Sequence, residues 1–473
     1  LSLLKPVVTS RESANYSLGY TMRDVWLDKL SFRINHSPYQ GNHIRKDVLN
    51  SGFSIKGGGT FFSASASHSG ELIDWNGTLR IGKSNNSRKA PQYYLPWFRL
   101  KGKEWGINAG KRPSSKEGGY GDLKKEQKSV SISNKFLISD FYWLGLNHQI
   151  SFGLNYSKIE LNRIRPQVAI SFSIPNDDRN IACSGFTLDC IDQRYKQDVS
   201  LLPTLSELIT KFNGDVDLAS KEYQKLYRDN IVSNAQFFKK RRVYPVEDIS
   251  VSINSFNAWV EDRFEIGKLR ARVGFKINEN KFLKQWNVAP RIHGGFDIFN
   301  DNESLIIFGA SRYYANDMTS YKLKEAKRGY FTQTRSSYLG EVQPWLNSLQ
   351  ASTYRYLYND LSTPYNDELT LGLKQRLFGG VLSLSVVKRE GKDKIVRGDT
   401  YTDGGINYVT QSNAGRSSHK RFSASYSISF DKHQMMVNVS KTDNTSNGES
   451  SEVKHEVIPD DERIYLYDNK TPA

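Results

Sequence analysis

Five residues near the middle of the chain have the types and spacing to hold an anion. Lys239, Lys240, Arg241 and Arg242 are consecutive cations, with Phe237 and Phe238 before them and Tyr244 after. Ammonium and guanidinium groups attract negative charge, and aromatic faces beside them add stacking. The same run can instead be a plainly solvated face. Cys183 and Cys190 lie close together in a loop-like segment, which fits a local disulfide in an oxidising compartment. Two thiols at that spacing, with no second pair and no nearby histidines, do not make a metal site.

Nothing else assembles into catalytic machinery. Glu261 and Asp262 are neighbours in a strand-like run, so their carboxylates point to opposite faces and cannot share a proton. His293 and His419 lack partners at ligand spacing. The serines fall in alternating runs, not in a strand-to-helix elbow. Gly57–Gly59 reads as a turn before Thr60 with no helix behind it, so it is no phosphate cradle. The chain is expected to be no enzyme and to hold no metal or cofactor.

The elements that position these groups are strands. Leu269, Ala271, Val273, Phe275 and Ile277 alternate with Arg270, Arg272, Gly274, Lys276 and Asn278. Val288, Pro290, Ile292, Gly294, Phe296 and Ile298 alternate in the same way with Ala289, Arg291, His293, Gly295 and Asp297. Each run has one apolar and one charged face. Charged faces on neighbouring strands must meet water, and apolar outside with polar inside is the pattern of an outer-membrane barrel. Composition agrees. Only 38% of the 473 residues are hydrophobic, yet 12% are aromatic, which suits a wet lumen and aromatic rims. No apolar run approaches the ~18 residues of a membrane helix.

The net charge of +16 first suggests nucleic acid as a partner. The cations are spread over strands and loops, however, which favours a solvated lumen and loops facing anionic lipopolysaccharide or an anionic ligand. No nucleic-acid partner is expected.

Read in order, the chain alternates short and long connections. Lys29–His36, Val48–Lys56, Thr60–His68, Asp74–Lys83, Tyr93–Lys101, Glu104–Arg112, Gln127–Phe136 and Asn147–Ile159 read as strands, and Pro113–Glu126 as an exposed loop. Phe141, Tyr142 and Trp143 read as a piece of aromatic girdle. Arg163–Ser250 loses the two-residue period and includes a helix-like patch at Leu205–Tyr227. It and Ala315–Thr363 fall on the long-loop side, whereas Gly267–Lys268, Asn300–Asn302, Gly379–Gly380 and Asp431–Lys432 fall on the short-turn side. The expected fold is all-β: a large antiparallel transmembrane barrel with about 16–17 strands, long extracellular loops (163–250 and 315–363) and short periplasmic turns.

Several segments resemble a TonB-dependent outer-membrane receptor. Trp259-Val-Glu-Asp262 resembles the family's aromatic-x-Gln/Glu-Asp strand. Asn287-Val-Ala-Pro-Arg291 with Gly295-Phe-Asp297, Arg312-Tyr-Tyr314 and Thr363-Pro-Tyr-Asn-Asp-Glu-Leu369 with Gly372 follow in the family's order. The resemblance covers roughly 257–443. It implies a Gram-negative cell outer membrane, a 22-stranded barrel and import of a ferric siderophore or similar scarce nutrient driven by the TonB complex. Lys239, Lys240, Arg241, Arg242 and Tyr244 would then grip an anionic ferric chelate, or touch lipopolysaccharide phosphates. No plug or TonB box precedes the first strand and no aromatic-terminated strand closes the end. Residues 1–473 are therefore expected to be an incomplete barrel domain, inactive alone, whose parent reaches TonB through a missing N-terminal region. The rival expectations are a passive porin-like channel and a soluble basic all-β protein binding nucleic acid or polysaccharide.

Overall fold

The computed structural model describes residues 9–100, 103–105, 114–178, 181–192, 194–196, 203–233, 235–315, 318–348, 354–404 and 406–447. β1 (Ser10–Ser13) and β2 (Tyr16–Arg23) lie end to end against β3 (Lys29–His43). After β4 (Val48–Leu49) come β5 (Phe53–Ser69) and β6 (Ile73–Lys89). β7 (Tyr93–Phe98) and β8 (Ser114–Gly118) precede β9 (Leu123–Ile138), β10 (Phe141–Trp143) and β11 (Leu146–Arg165). The next connection holds β12 (Ala169–Asp177), β13 (Cys190–Ile191), β14 (Arg194–Lys196), α1 (Leu205–Lys211), α2 (Val216–Asn230), β15 (Ile231–Ser233) and β16 (Gln236–Tyr244). β17 (Glu247–Ile266), β18 (Leu269–Asn280), β19 (Gln285–Asp297) and β20 (Ser304–Tyr314) follow. α3 (Thr319–Ala326), β21 (Phe331–Thr334), β22 (Ser337–Tyr338), β23 (Glu341–Val342), β24 (Leu346–Asn347) and β25 (Tyr354–Tyr356) lead to β26 (Tyr365–Leu377), β27 (Gly380–Asp403), β28 (Ile406–Phe430) and β29 (His433–Ser446).

The main sheet has 17 strands, and its long members pair antiparallel in chain order from β2 and β3 to β29. Among the described residues, β29 pairs with β28 only. The two-residue period sorts the side chains as the sequence predicts. Phe275, Val288, Ile292, Leu371, Phe422 and Val437 stand exposed on one face. On the other, Glu261 forms an ion pair with Arg272 at 3.2 Å and lies 4.0 Å from Arg291, while His293 Nε2 and the Ser311 hydroxyl are 3.0 Å apart. Asp262 points outward to His148 at 2.7 Å, so the two adjacent carboxylates do face opposite ways.

Short turns cluster at one end. Exposed apolar side chains mark them: Trp26, Leu72, Trp143, Leu144, Phe299 and Phe378. Asp297 closes one turn by accepting the backbone N–H groups of Asn300, Asp301 and Asn302.

At the other end the long connections build a second sheet of 8 strands, in the order β4, β8, β7, β12, β16, β21, β24, with β13 also on β16. We call it the crown. It grows from the wall: the β6–β9 ladder ends at Arg88↔Leu123 and resumes in β7–β8, and the β11–β17 ladder resumes in β12–β16. The first hairpin is turned over, so that β7, not β8, meets β12. Gly118 and Gly121, at φ 84° and 73°, make that reversal; a Cβ on Gly118 would run into the Tyr93 carbonyl. Apolar layers cover both crown faces. Trp97, Phe172 and Phe238 pack on one side; Ile181, Phe237, Val342 and the Cys183–Cys190 disulfide pack on the other.

Three expectations are corrected. Gly57–Gly59 is no turn but the middle of β5, where a Cβ on Gly57 would sit 2.4 Å from the Asn85 carbonyl oxygen. Tyr93–Lys101 contributes β7 to the crown, not a wall strand, and most of Glu104–Arg112 lies outside the described residues. Pro113–Glu126 is not one loop, since it contains β8 and the start of β9.

Candidate functional site

β16 splits the basic run by its two-residue period. Arg241 turns to one face, where it donates to Gln333 at 2.7 Å and lies 4.5 Å over the Trp345 ring. Arg335 stacks on Trp345 at 4.3 Å, and the indole N–H donates to Asp189 at 2.9 Å. Arg335 is itself buried, 3.2 Å from the Asp189 carboxylate. Burial pushes both guanidinium groups below the usual arginine range, with Asp189 acting the other way. This is a structural staple beside Cys190. Lys239 contributes its carbonyl to the same corner, accepting from the Arg335 N–H at 3.0 Å. Lys240 stands half-buried between Ser173 and Thr334.

Arg242 and Tyr244 turn the other way, toward a cavity of about 320 Å³ where wall and crown join. Its cations come from two places. Arg163 and Arg165 end β11, two residues apart and on the same face. Lys324, Lys327 and Arg328 come from the end of α3 and the segment after it. Against these five cations stands one carboxylate, Glu247, which pairs with Arg163. Aromatic rings line the gaps between them. Arg165 lies 5.3 Å over Tyr244, Tyr244 meets Tyr330 at 5.4 Å, and Arg242 lies 4.9 Å over Tyr330. Lys324 lies 4.0 Å over Tyr356, and Tyr354 completes the lining. Such a site can take a bulky anion with flat rings. Among the described residues, no group of three or more His, Cys, Asp or Glu side chains could hold a metal ion.

Of the five residues that the sequence singled out for anion binding, then, only Tyr244 lines the cavity and Arg242 borders it. Arg163, Arg165, Lys324 and Tyr330 carry no motif of their own. Arg163-Ile-Arg165 did offer one signal, two cations on one face of a strand.

No family model matches the chain. The uncharacterized protein YddB of Escherichia coli K12 is 25% identical over 191 residues, 40% of this chain and 22% of that protein. The crystal structure of the outer membrane transporter YddB from Escherichia coli superposes on 92% of this chain with a TM-score of 0.65 at 14% identity. The chain has the barrel fold of the TonB-dependent outer-membrane receptors. A ferric enterobactin receptor, PfeA, matches with a TM-score of 0.54 over 91% of the chain at 12% identity. The siderophore receptor PirA from Acinetobacter baumannii matches with a TM-score of 0.50 over 92% at 10% identity. The chain spans about half the length of these receptors: 48%, 51% and 53%. In this barrel the cationic cavity sits at the end where the long connections gather.

Proposed function

We propose that the chain forms wall and crown of an outer-membrane importer that takes an anionic ferric siderophore at the Arg163–Arg165–Tyr330 cavity. Its long connections face outward, its short turns face the periplasm, and release inward draws on the TonB complex. The excess of cations over the single Glu247 in that cavity carries the reading. Five like charges within a cavity of this size repel one another, and an anion relieves that repulsion. Tyrosine faces favour a ligand with aromatic rings, as a catecholate has. A passive porin would have little use for a crown woven from four connections.

The test uses ferric enterobactin as probe, titrated against the protein in detergent with tryptophan fluorescence as readout. Losing one charge-assisted contact costs about 1.5–3 kcal/mol, so Arg165→Ala or Lys327→Ala is expected to weaken binding about 10–100-fold. Lys239→Ala, whose side chain lies outside the cavity, is expected to bind normally. Equal affinity in all of these variants, or no affinity for any ferric chelate, would overturn the proposal.

A further inference from the structure

The lining of the cationic cavity includes one buried acceptor that makes no hydrogen bond. Glu247 opens β17 where wall and crown join, and it is only 5% exposed. One oxygen of its carboxylate, Oε2, pairs with Arg163. The other, Oε1, is buried with no hydrogen-bond partner among the described residues. Arg165 stands directly across the ladder from Glu247, yet its guanidinium goes elsewhere. It donates to the Tyr120 carbonyl at 3.4 Å and lies 5.3 Å over the Tyr244 ring. Pro245, two residues before Glu247, lines the same cavity and has no N–H to give.

A buried oxygen without a donor is costly, and folded proteins normally supply one. The charge of Glu247 is already matched by Arg163, so Oε1 lacks a donor and not a counter-charge. An ammonium brought to it would also face Arg165, Lys324, Lys327 and Arg328 around the cavity, and like charges at such range repel. A neutral hydroxyl or amide N–H meets no such opposition.

We infer, on the reading of this cavity as the ligand site, that Glu247 selects for a neutral hydrogen-bond donor on the anion. A free hydroxyl or amide N–H of the ligand reaches Oε1 while its anionic oxygens meet Lys324, Lys327 and Arg328. The ligand thus presents its donor to the wall and its charge to the long connection between β20 and β26. A site that hydrogen-bonds a ligand hydroxyl rejects the analogue lacking it, because the buried acceptor is then stranded. The cations read the ligand's charge, and Glu247 reads its chemistry.

The experiment uses two ferric tris-catecholates of equal charge, made with catechols whose side arm ends in a hydroxyl (hydroxytyrosol) or in a methyl (propylcatechol). Each is titrated against the detergent-purified protein with tryptophan fluorescence as readout. The hydroxyl-bearing complex is expected to bind about tenfold more tightly. Glu247→Leu alone would leave Arg163 buried and unpaired, so the variant is Glu247→Leu with Arg163→Leu. In it the preference should fall to within about twofold, whatever happens to overall affinity. Glu247→Asp, which keeps the charge beside Arg163 and withdraws the oxygen by one methylene, should also lose most of the preference. Lys239→Ala, whose side chain lies outside the cavity, should keep it. Each variant is first checked for the heat-modifiable gel band of a folded barrel. Equal affinity of the unaltered protein for the two complexes overturns the selection by Glu247 and leaves the cavity as an anion site. A preference that survives undiminished in either folded Glu247 variant does the same. Failure of both complexes to bind the unaltered protein overturns the ligand-site reading itself, which is a different result.

Discussion

The outward assignment of the apolar face can be tested at graded depths along one strand. Leu373 on β26 lies between Ile306 and Leu384 on that face. Phe378, almost fully exposed in the turn below, marks the lower edge of the belt. Five residues at ~3.4 Å each, tilted by ~40°, place Leu373 roughly 13 Å above that edge, the middle of an apolar band ~25 Å tall. Leu369, nine residues up, reaches roughly 23 Å and is level with its partner Lys388. An arginine at the midplane of such a belt costs about 2–4 kcal/mol and near the interface about 0–1 kcal/mol. Leu373→Arg should therefore destabilise severalfold more than Leu369→Arg, and Thr370→Arg, which faces the lumen, should be close to neutral. Denaturant titration of folding into lipid vesicles, followed by tryptophan fluorescence, measures all three. Equal costs at 373 and 369 would refute the depth argument, and a larger cost at 370 would invert the faces.

Three further outcomes follow from the crown. Replacing Cys183 and Cys190 with serine opens a loop whose closure is worth about 2–3 kcal/mol, so hydrogen exchange should rise around residues 181–192 while β18–β20 stay protected. Asp189→Ala strands the buried Arg335 guanidinium and should destabilise the crown by about 3–5 kcal/mol, with Asp189→Ala plus Arg335→Met recovering part of the loss in a thermal melt. Protease added to intact cells should nick within 166–246 and 315–364 and spare Gly267–Lys268 and Gly379–Gly380; the opposite pattern would reverse the topology.

The wall was legible because its physics repeats every two residues. Leu369, Leu371 and Leu373 announce one face as plainly as Thr370 and Gly372 announce the other. The crown was not legible, since its strands are short and buried on both sides. Phe237 and Phe238 are consecutive, yet each fills a different apolar layer, so no alternation appears in the sequence. Gly57–Gly59 misleads for a related reason: glycine marks turns, but here it lets neighbouring strands approach β5 closely. The basic run drew attention by charge alone. Its strand then sent Arg241 to a staple and Arg242 to the cavity, a division that depends on which element the run occupies. The cavity's other cations reach it from a separate connection, a meeting that only the tertiary fold produces.

The order of the crown's ladder also constrains how the molecule is made. Val48 meets Lys116, Tyr94 meets Ser171, and Lys240 meets both Ser173 and Thr334. Every one of these pairings spans a large sequence separation, so each needs the intervening wall hairpins already in place before its closure entropy is recovered. Assembly is thus expected to be hierarchical, with local hairpins first and the crown knitted last. For the same reason a residue inserted in or deleted from β12 would re-register its neighbours on both sides, and lengthening is tolerated only outside the paired segments. The crown behaves as one mechanical unit: no single connection can swing aside without unzipping a neighbour's hydrogen bonds.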